Sequence, residues 1–513
     1  MSVLTFSLPA FSQAHQGGTL NMLVEPEPPT LLSVANSSGS TVKVTAKVVE
    51  GLLTYDNSLN PKPLLATSWS VSKDGKEYTF KLRKGVKWHD GKPFTSADVA
   101  FSILAVKKYN SRGASTFANV TDVKTPDAYT AVFVLSKPAP YLLAALSATE
   151  APIIPKHLYE GTDIPTNPYN NAPVGTGPFK FKEWKRGSYI VYERNPDYWD
   201  KPKPYIDRLV VKIIPDAAAR MIAFETGELD LAGETPVPLA DLDRVKNNPK
   251  LGIETRGYSY GPTQTRIEFN LDNPYLKNLK VRQAIAHAIN REVLKSTVWY
   301  GYAVDSPTPI TPELAKYHDS TPSPYEFNPK KAEQLLDEAG FPRGANGVRF
   351  KLVHDAMPYG DGFKRVGEYI KSALGKVGIE VTLRTQDFPA YIKRVYTDRD
   401  FDFTNHSISN LSDPTVGVQR LYWSKSFKPG VAFGNGSHYS NPEVDKLLEQ
   451  AAEEQDPAKR AELFKKFQRI VEIELPDVNL VQLRRLTIFN KRVHDHSIDA
   501  QGLNGSLADV YIE

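Results

Sequence analysis

The fold is decided by a stretch that reads N-A-P-V-G-T-G-P-F-K-F-K-E-W-K-R-G-S-Y-I-V-Y-E-R-N-P-D-Y-W-D (171–200) and continues as P-Y-I-D-R-L-V-V-K-I-I-P-D-A-A-A-R (204–220) and F-E-T-G-E-L-D (224–230). Aromatic and β-branched runs between turn residues predict strands near 179–181, 189–192 and 209–214. Asp216 is a good N-cap for a helix from Ala217, and a short apolar strand at 229–232 follows. This order of elements predicts an α/β core.

Periodicity and turn residues divide the rest of the chain into further elements. Strands are predicted at 18–25, 127–135, 266–271, 348–353, 379–383 and 478–489, and a hairpin over 64–69 and 74–83 with Asp74-Gly75 as its turn. Helices are predicted from the capping-box-like Thr95-x-x-Asp98, over 279–291, 328–339 and 363–374, and after Asn441-Pro442 and Asp456-Pro457. The order of strand 348–353, helix 363–374 and strand 379–383 predicts a second α/β domain.

Length and composition indicate a globular protein of two or three domains. The chain has 513 residues, 41% of them hydrophobic, with 63 basic and 59 acidic side chains. This charge balance argues against a nucleic-acid partner. There are no cysteines, which excludes disulfides, thiolate metal sites and a lipid-anchored cysteine within these residues.

The first residues resemble the end of a secretory signal peptide. An apolar run closes on small residues at Ser12-Gln13-Ala14, but the basic start of such peptides is missing. We expect residues 1–16 to be a residual signal peptide with a truncated start. A frayed N-terminal arm is the alternative.

The sequence contains no familiar catalytic motif. It lacks a Walker loop, H-E-x-x-H, G-x-S-x-G and G-x-G-x-x-G, so binding is favoured over catalysis and no cofactor is predicted. His494-Asp495-His496 could chelate a metal, but a solvated tail is the favoured interpretation. His287 is predicted to be a packed helix residue. Arg484-Arg485 could bind an anion or lie on the surface.

The order of G-T-G-P-F, E-R-N-P-D-Y-W, I-P-D-A-A-A-R and G-E-L-D resembles the dipeptide, oligopeptide and nickel family (family 5, cluster C) of ABC-importer solute-binding proteins. G-V-K-W-H-D-G (85–91) and the helix at 279–291 resemble two more of its signatures, so the resemblance covers nearly all of the chain. It implies an α/β, bilobal periplasmic-binding-protein fold of class II with an extra inserted domain. It also implies a periplasmic, monomeric protein that passes a small-molecule ligand to a membrane ABC permease.

The resemblance also implies domain boundaries. Residues 17–42, 165–256 and 485–513 would form lobe 1, residues 43–164 an inserted domain packed on it, and residues 257–484 lobe 2. The crossings near Arg256 and Arg484 would be hinges that let the lobes close on a ligand.

The ligand class depends on the segment before Asp413-Pro414. By resemblance, peptide-binding relatives place an aspartate for the ligand's α-amino group three residues before this acidic residue, and a tryptophan three residues earlier. Here those positions are Asn410 and Ser407. The arginine that dipeptide binders use for the α-carboxylate corresponds roughly to Met357. Since an amide cannot neutralise a buried ammonium, a short peptide with free termini is disfavoured unless Asp413 or Glu25 binds the amine.

Amides, carboxylates and aromatic faces suit a glycoside, an opine-like conjugate or a longer peptide bound by its backbone. The predicted ligand-binding residues are Glu25, Glu27, Tyr258, Tyr260, Met357, His406, Asn410, Asp413, Trp423 and Arg484. The leading hypothesis is a solute-binding protein of an ABC importer without enzymatic activity. The alternative is a secreted hydrolase of glycosides or peptides.

Overall fold

The structure is a computed structural model that describes residues 14–358 and 360–513. Most of the predicted signal segment, residues 1–13, lies outside the described residues, so that interpretation stays a prediction. Among the described helices, none is long and apolar enough to cross a membrane.

The strands are numbered along the chain. They are β1 (Thr19–Val24), β2 (Leu53–Tyr55), β3 (Pro61–Pro63), β4 (Ala66–Val71), β5 (Glu77–Leu82), β6 (Val120–Asp127), β7 (Thr130–Leu135), β8 (Phe179–Lys185), β9 (Tyr189–Arg194), β10 (Arg208–Ile213), β11 (Leu231–Ala232), β12 (Leu251–Glu254), β13 (Thr263–Phe269), β14 (Ala303–Asp305), β15 (Phe350–Ala356), β16 (Ile379–Arg384), β17 (Phe403–Ser409), β18 (Asp477–Leu483), β19 (Thr487–Asn490), β20 (Val493–His494) and β21 (Tyr511–Ile512).

The helices are numbered in the same way. They are α1 (Gly39–Thr45), α2 (Ser96–Tyr109), α3 (Ser111–Thr116), α4 (Lys156–Tyr159), α5 (Ala217–Thr226), α6 (Leu242–Asn247), α7 (Leu279–Ala288), α8 (Arg291–Val293), α9 (Pro329–Glu338), α10 (Asp361–Lys376), α11 (Phe388–Ile392), α12 (Pro414–Gly417), α13 (Gln419–Tyr422), α14 (Pro442–Glu453) and α15 (Pro457–Glu474). Short π-helical turns follow α8 at Leu294–Val298 and α11 at Lys393–Asp398.

The first sheet has seven strands in the order β12-β19-β11-β1-β10-β9-β8. Its centre is parallel, because β1 pairs in that sense with both β10 and β11. The predicted strands of the deciding stretch are β8 to β11. The predicted cap of α5 is also present, since the Asp216 carboxylate accepts a hydrogen bond from the Ala219 N–H at 2.7 Å. The predicted α/β core is therefore confirmed.

The second sheet has six strands in the order β14-β18-β13-β17-β15-β16. Strands β15 and β16 pair in parallel and are joined through α10, as the predicted strand–helix–strand order requires. Strand β13 lies between β17 and β18 and pairs antiparallel with both. This antiparallel centre carries the polar residues described below.

A four-stranded antiparallel sheet, β4-β5-β7-β6, is built from the segment inserted between β1 and β8. Its Phe80 and Phe133 belong to the same hydrophobic core as Met22 and Leu209 of the first sheet. A continuous core therefore joins this segment to the first sheet.

Two predicted strands are wrong in extent. The prediction for 127–135 starts on the last residue of β6 and runs through a turn into β7, and β6 itself was missed. The single strand predicted at 478–489 is two strands, β18 and β19, that belong to different sheets. The chain leaves the second sheet at Arg484, so the error falls on one of the predicted crossings.

The histidines near the C-terminus do not lie in a solvated tail. His494 is in β20, which pairs with β21, and its ring stacks on Tyr511. His496 is buried against Phe489. No group of three or more metal-ligating side chains occurs among residues 14–358 and 360–513. His287 is buried as predicted, and its Nδ1 lies 2.8 Å from the Glu326 carbonyl oxygen.

The glycines of G-T-G-P are required by a close backbone approach. A Cβ on Gly175 would lie 1.8 Å from the Val48 carbonyl oxygen, which is far inside van der Waals contact. His89 is hydrogen-bonded to the same loop. Its Nδ1 accepts the Gly175 N–H at 3.2 Å, and its Nε2–H donates to the Gly177 carbonyl at 2.9 Å. This pair of bonds requires the neutral ring, because a protonated Nδ1 cannot accept.

We expect His89 to make the protein sensitive to acid. Burial lowers the pKa of His89 from 6.5 to about 4. The unfolded chain therefore takes up this proton first, so the stability that neutral His89 supports is complete above pH 6.5 and is lost as the pH falls towards 4. At about 1.4 kcal/mol per pKa unit, the loss is on the order of 3 kcal/mol. Urea unfolding at pH 7 and pH 4.5 measures it.

The matched variant is His89→Gln, which keeps a donor and an acceptor but does not titrate. Its unfolding free energy should fall less than that of the wild type between the two pH values. Equal falls in both proteins would show that other groups cause the acid sensitivity.

Candidate functional site

Two chain crossings connect the first and second sheets, at residues 255–262 and 484–486. The Tyr258 hydroxyl links them. It accepts the Glu234 N–H at 2.8 Å and lies 2.7 Å from Oγ1 of Thr487. A cavity of about 690 Å³ adjoins both crossings, and Tyr258 and Arg484 are among its lining residues. The predicted residues Tyr258 and Arg484 therefore lie together at the crossings.

The antiparallel centre of the second sheet has a polar face. Alternate residues of β13 on this face are Arg266 and Glu268. Arg266 lies opposite His406 of β17 and Asn479 of β18, and Glu268 lies opposite Asp477 of β18. Each of these five side chains is almost completely buried. We call these residues the polar cluster.

Contacts within the polar cluster pair its charges. Arg266 Nη2 donates to Oδ2 of Asp477, whose other oxygen accepts from the Tyr422 hydroxyl at 3.1 Å. His406 Nε2 lies 2.8 Å from Oε2 of Glu268. Burial alone would raise the pKa of Glu268, but the His406 hydrogen bond and the Arg266 charge outweigh it and the pKa is lowered. The Glu268 carboxylate is therefore ionised and partnered, whereas burial raises the pKa of Asp477 although Arg266 pairs with it.

Several buried polar atoms around the cluster lack a partner among the described residues. They are Nε and Nη1 of Arg266, Nδ1 of His406, Oδ1 of Asn479, Oε1 of Gln419 and Nε of Arg420. Buried polar groups in proteins are normally hydrogen-bonded, and leaving one unsatisfied costs about 1–3 kcal/mol. Such a concentration of spare donors and acceptors suits the binding of a polar molecule.

The inserted segment faces this region of the second sheet. Helix α3 packs against α12. The Tyr260 hydroxyl donates to the Ala144 carbonyl at 2.8 Å, and the Ser412 hydroxyl donates to the same oxygen at 2.8 Å. In the inserted segment, Arg112 Nη2 lies 3.1 Å from Oε1 of Glu150. The charges of Arg112 and of Arg266 both act on Arg420 of α13, so the polar cluster lies near this contact between the two parts of the molecule.

The family model of bacterial extracellular solute-binding proteins, family 5 Middle, matches residues 60–430. The chain belongs to this family. It is 29% identical over 462 residues to the dipeptide-binding protein of Escherichia coli (strain K12), covering 86% of this chain and 84% of that protein. It is 30% identical over 474 residues to the oligopeptide-binding protein AppA of Bacillus subtilis (strain 168), covering 89% and 84%.

A solved relative confirms the bilobal α/β fold. The structure of NikZ from Campylobacter jejuni in complex with Ni(L-His) superposes with a TM-score of 0.84 at 28% identity, covering 95% of this chain and 97% of that one. The family resemblance inferred from the sequence motifs is thus confirmed. The family and these relatives are binding proteins, and the alternative of a secreted hydrolase has no support among them.

Asn410 was predicted to contact the ligand because peptide-binding relatives place an aspartate at its position. This residue is completely buried at the end of β17. Its Oδ1 accepts the Thr311 N–H at 2.7 Å, whereas its Nδ2 has no partner among the described residues. A side chain with one bonded acceptor and one spare donor can bind a ligand acceptor group. Ligand contact by Asn410 stays a prediction.

Asp413 has its carboxylate fully engaged within the protein. Both oxygens accept from Arg460, at 2.6 and 2.8 Å. Oδ1 also accepts the Thr415 N–H at 2.9 Å and caps α12. These contacts favour a structural role for Asp413, and they leave it poorly placed to bind a ligand's amine.

Two other predicted residues also have structural contacts. Met357 is buried in the hydrophobic core of the second sheet. Trp423 is half-buried, and its indole N–H donates to Glu449 of α14 at 2.9 Å. Neither residue belongs to the polar cluster. Their predicted ligand contacts therefore stay predictions.

Glu25 and Glu27 follow β1 of the first sheet. Glu25 is exposed and lies 3.2 Å from Arg220. Glu27 accepts the Trp184 indole N–H at 3.1 Å and the Gly187 N–H at 3.0 Å. Glu27 therefore holds the β8–β9 turn, while Glu25 keeps a carboxylate open to solvent. Their ligand contacts stay predictions.

The structure brings His406 into the polar cluster and Tyr260 to the facing segment. Sequence reasoning missed Arg112, Glu150, Arg266, Glu268 and Arg420. One signal was available, because R-I-E-F-N-L places two charges at alternate positions of an otherwise apolar strand. Charged residues on one face of a central strand are rarely buried without function or partner.

Proposed function

We propose that this protein captures a small polar ligand between its two lobes and delivers it to a membrane ABC permease, without covalent chemistry. The observation that carries the proposal is the polar cluster, with its spare buried donors and acceptors, next to the contact between the second sheet and the inserted segment. Family 5 membership and the periplasmic location of such proteins support secretion. A monomer is proposed on the same basis.

We also propose the domain division 17–42, 165–256 and 485–513 for lobe 1, 43–164 for the inserted domain, and 257–484 for lobe 2. Sheet membership supports it, since β8 to β12 and β19 join β1, whereas β13 to β18 form the other sheet. Tyr258 would then brace the hinges near Arg256 and Arg484.

The ligand class proposed is a glycoside or an opine-like conjugate, with a longer peptide as the alternative. A free ammonium group would need a buried, unpartnered carboxylate. In the polar cluster and its surroundings, Glu268, Asp477 and Glu150 each already have a cationic or hydrogen-bonding partner. Asn410 offers only an amide. Hydroxyl groups match this mixture of donors and acceptors better.

Ligand binding should make the molecule more compact. Closure about the crossings brings the lobes together, so the radius of gyration from small-angle scattering should fall during a saturating titration. Native mass spectrometry of protein purified without denaturation identifies a ligand retained in the cleft. A radius that stays constant while calorimetry shows saturation would contradict hinge closure.

The same titration tests the capture proposal itself. The panel contains di- and tripeptides, oligosaccharides and sugar conjugates, and each is also incubated with the protein and checked for products. Stoichiometric binding without turnover is expected. Turnover of any member would contradict a purely binding function.

A further inference from the structure

Arg420 has an unusual environment for a guanidinium group. It lies half-buried in α13, and its hydrogen bond among the described residues is donated by Nη1 to the Phe433 carbonyl at 2.6 Å. Its Nε is buried without a partner. No carboxylate of the described residues forms an ion pair with it. Guanidinium groups carry five donors in a planar fork, so most of its capacity is unused.

Three more deeply buried arginines have an anion or several backbone carbonyls as partners. Arg266 pairs with Asp477, and Arg460 pairs with Asp413 through two bonds. Arg282 lacks a carboxylate partner as well, but it donates to four backbone carbonyls, those of Leu475, Leu276, Lys277 and Glu474. Arg420 therefore differs in having neither an anion nor a set of carbonyls.

The surroundings of Arg420 concentrate positive charge. Burial and the nearby charges of Arg112 and Arg266 together lower the pKa of Arg420 to about 10, against the opposing effects of Tyr396 and Glu150. Glu150 is held by Arg112 at 3.1 Å, and Asp477 by Arg266. Arg112 and Arg266 also have buried Nε atoms without partners. Glu150 and Asp477 are thus already paired with other arginines. The region therefore holds more guanidinium donors than these carboxylates accept.

We propose that Arg420 binds a carboxylate group of the captured ligand, with Arg112 of α3 and Arg266 of β13 reinforcing the positive potential. This inference rests on the proposed function and specifies the ligand's chemistry. A planar carboxylate matches the guanidinium fork, and charge-assisted bonds of this kind are about twice as strong as neutral ones. Because Arg112 belongs to the inserted segment and Arg420 to the second lobe, an anion between them favours their approach.

The first experiment needs no ligand. Arg420→Met keeps an unbranched apolar stem and removes the guanidinium group with its charge. If Arg420 is reserved for a ligand, the melting temperature of the ligand-free protein stays unchanged or rises, since an unneutralised charge is removed. Arg460→Met serves as the structural reference, because it leaves the Asp413 carboxylate buried without a cation. If the melting temperature falls in Arg420→Met by more than half as much as it falls in Arg460→Met, then Arg420 is a structural residue and the proposal is overturned.

The second experiment uses probe pairs that differ in one carboxylate. The pairs are N-acetyl-trialanine and its C-terminal amide, and cellobionic acid and its amide. We expect the wild type to bind the acid of a pair about 10- to 100-fold more tightly than the neutral member. Arg420→Met should abolish this preference. The control Arg244→Met removes a surface arginine that pairs with Glu225, and it should keep the preference.

Failure of this inference can be told apart from failure of the proposed function. Equal affinity of the wild type for acid and neutral members overturns the carboxylate site while leaving ligand capture intact. A preference for acids that survives in Arg420→Met also overturns it. If the wild type binds no compound and retains none in native mass spectrometry, the proposed function fails and the carboxylate site fails with it.

Discussion

Replacing Arg460 by methionine is expected to destabilise the protein by about 3–5 kcal/mol, because it leaves the Asp413 carboxylate buried without a cation. Arg460 and Asp413 are both nearly inaccessible and share two hydrogen bonds at 2.6 and 2.8 Å. The pair joins α15 to the start of α12 and also includes the Tyr317 hydroxyl, 2.7 Å from Arg460. Urea unfolding at pH 7 measures the change in the free energy of unfolding.

Two further variants control this prediction. In the double variant Asp413→Leu with Arg460→Met, no unpaired charge remains, so part of the lost stability should return. Arg244→Met breaks a half-exposed pair with Glu225 and should cost at most about 1 kcal/mol. If Arg460→Met costs no more than Arg244→Met, the pair does not hold the fold, and Asp413 becomes available for the ligand role predicted from the sequence.

Local signals in the sequence predicted much of the fold because they act over a few residues. The Asp216 cap, the Thr95–Asp98 capping box and the Asn-Pro and Asp-Pro helix starts each depend on bonds within one turn, and all are present. The G-T-G-P glycines are different. Their identity reflects a contact with Val48, more than 120 residues away, which turn chemistry alone did not reveal.

Sheet membership was harder to predict than strand existence. The strand predicted at 478–489 contains apolar residues on both sides of Arg484, and nothing local shows that β18 and β19 pair with different partners. Which sheet a strand joins depends on distant residues. The predicted hinge positions came instead from family resemblance.

The candidate site was the least predictable part. Asp413 and Trp423 were selected for their place in one loop, but their partners Arg460 and Glu449 come from later helices. Arg420 lies in the same segment, but the sequence did not predict it as a site residue, because a surface arginine and a buried one look alike in sequence. Its importance depends on the lack of an ion pair with any carboxylate of the described residues, which becomes visible only when the helices around it and the polar cluster are in place.

Ordinary di- and tripeptides are expected to bind weakly or not at all, and Asn410 is the reason. A buried ammonium left without an anion costs roughly 3–5 kcal/mol, which corresponds to a loss of more than 100-fold in affinity. Asn410 is completely inaccessible, and its Oδ1 is already bonded to the Thr311 N–H. Only its Nδ2 donor is spare, and a donor repels an ammonium group. Isothermal titration calorimetry with the peptide panel measures the affinities.

Asn410→Asp separates the two possible ligand classes. The variant keeps the acceptor for Thr311 but replaces the spare donor by an oxygen and adds a charge. On the present assignment it weakens binding of a hydroxyl- or carboxylate-bearing ligand by at least about 10-fold, since either ligand loses a donor and a carboxylate also meets a like charge. Asn410→Ser, which keeps a hydroxyl donor without charge, should weaken it less.

Submicromolar binding of dipeptides by the wild type, with little change in Asn410→Asp, would contradict the assignment. Because Asp413 is bound to Arg460, the exposed carboxylate of Glu25 would then have to hold the peptide amine, and Glu25→Gln should abolish that binding.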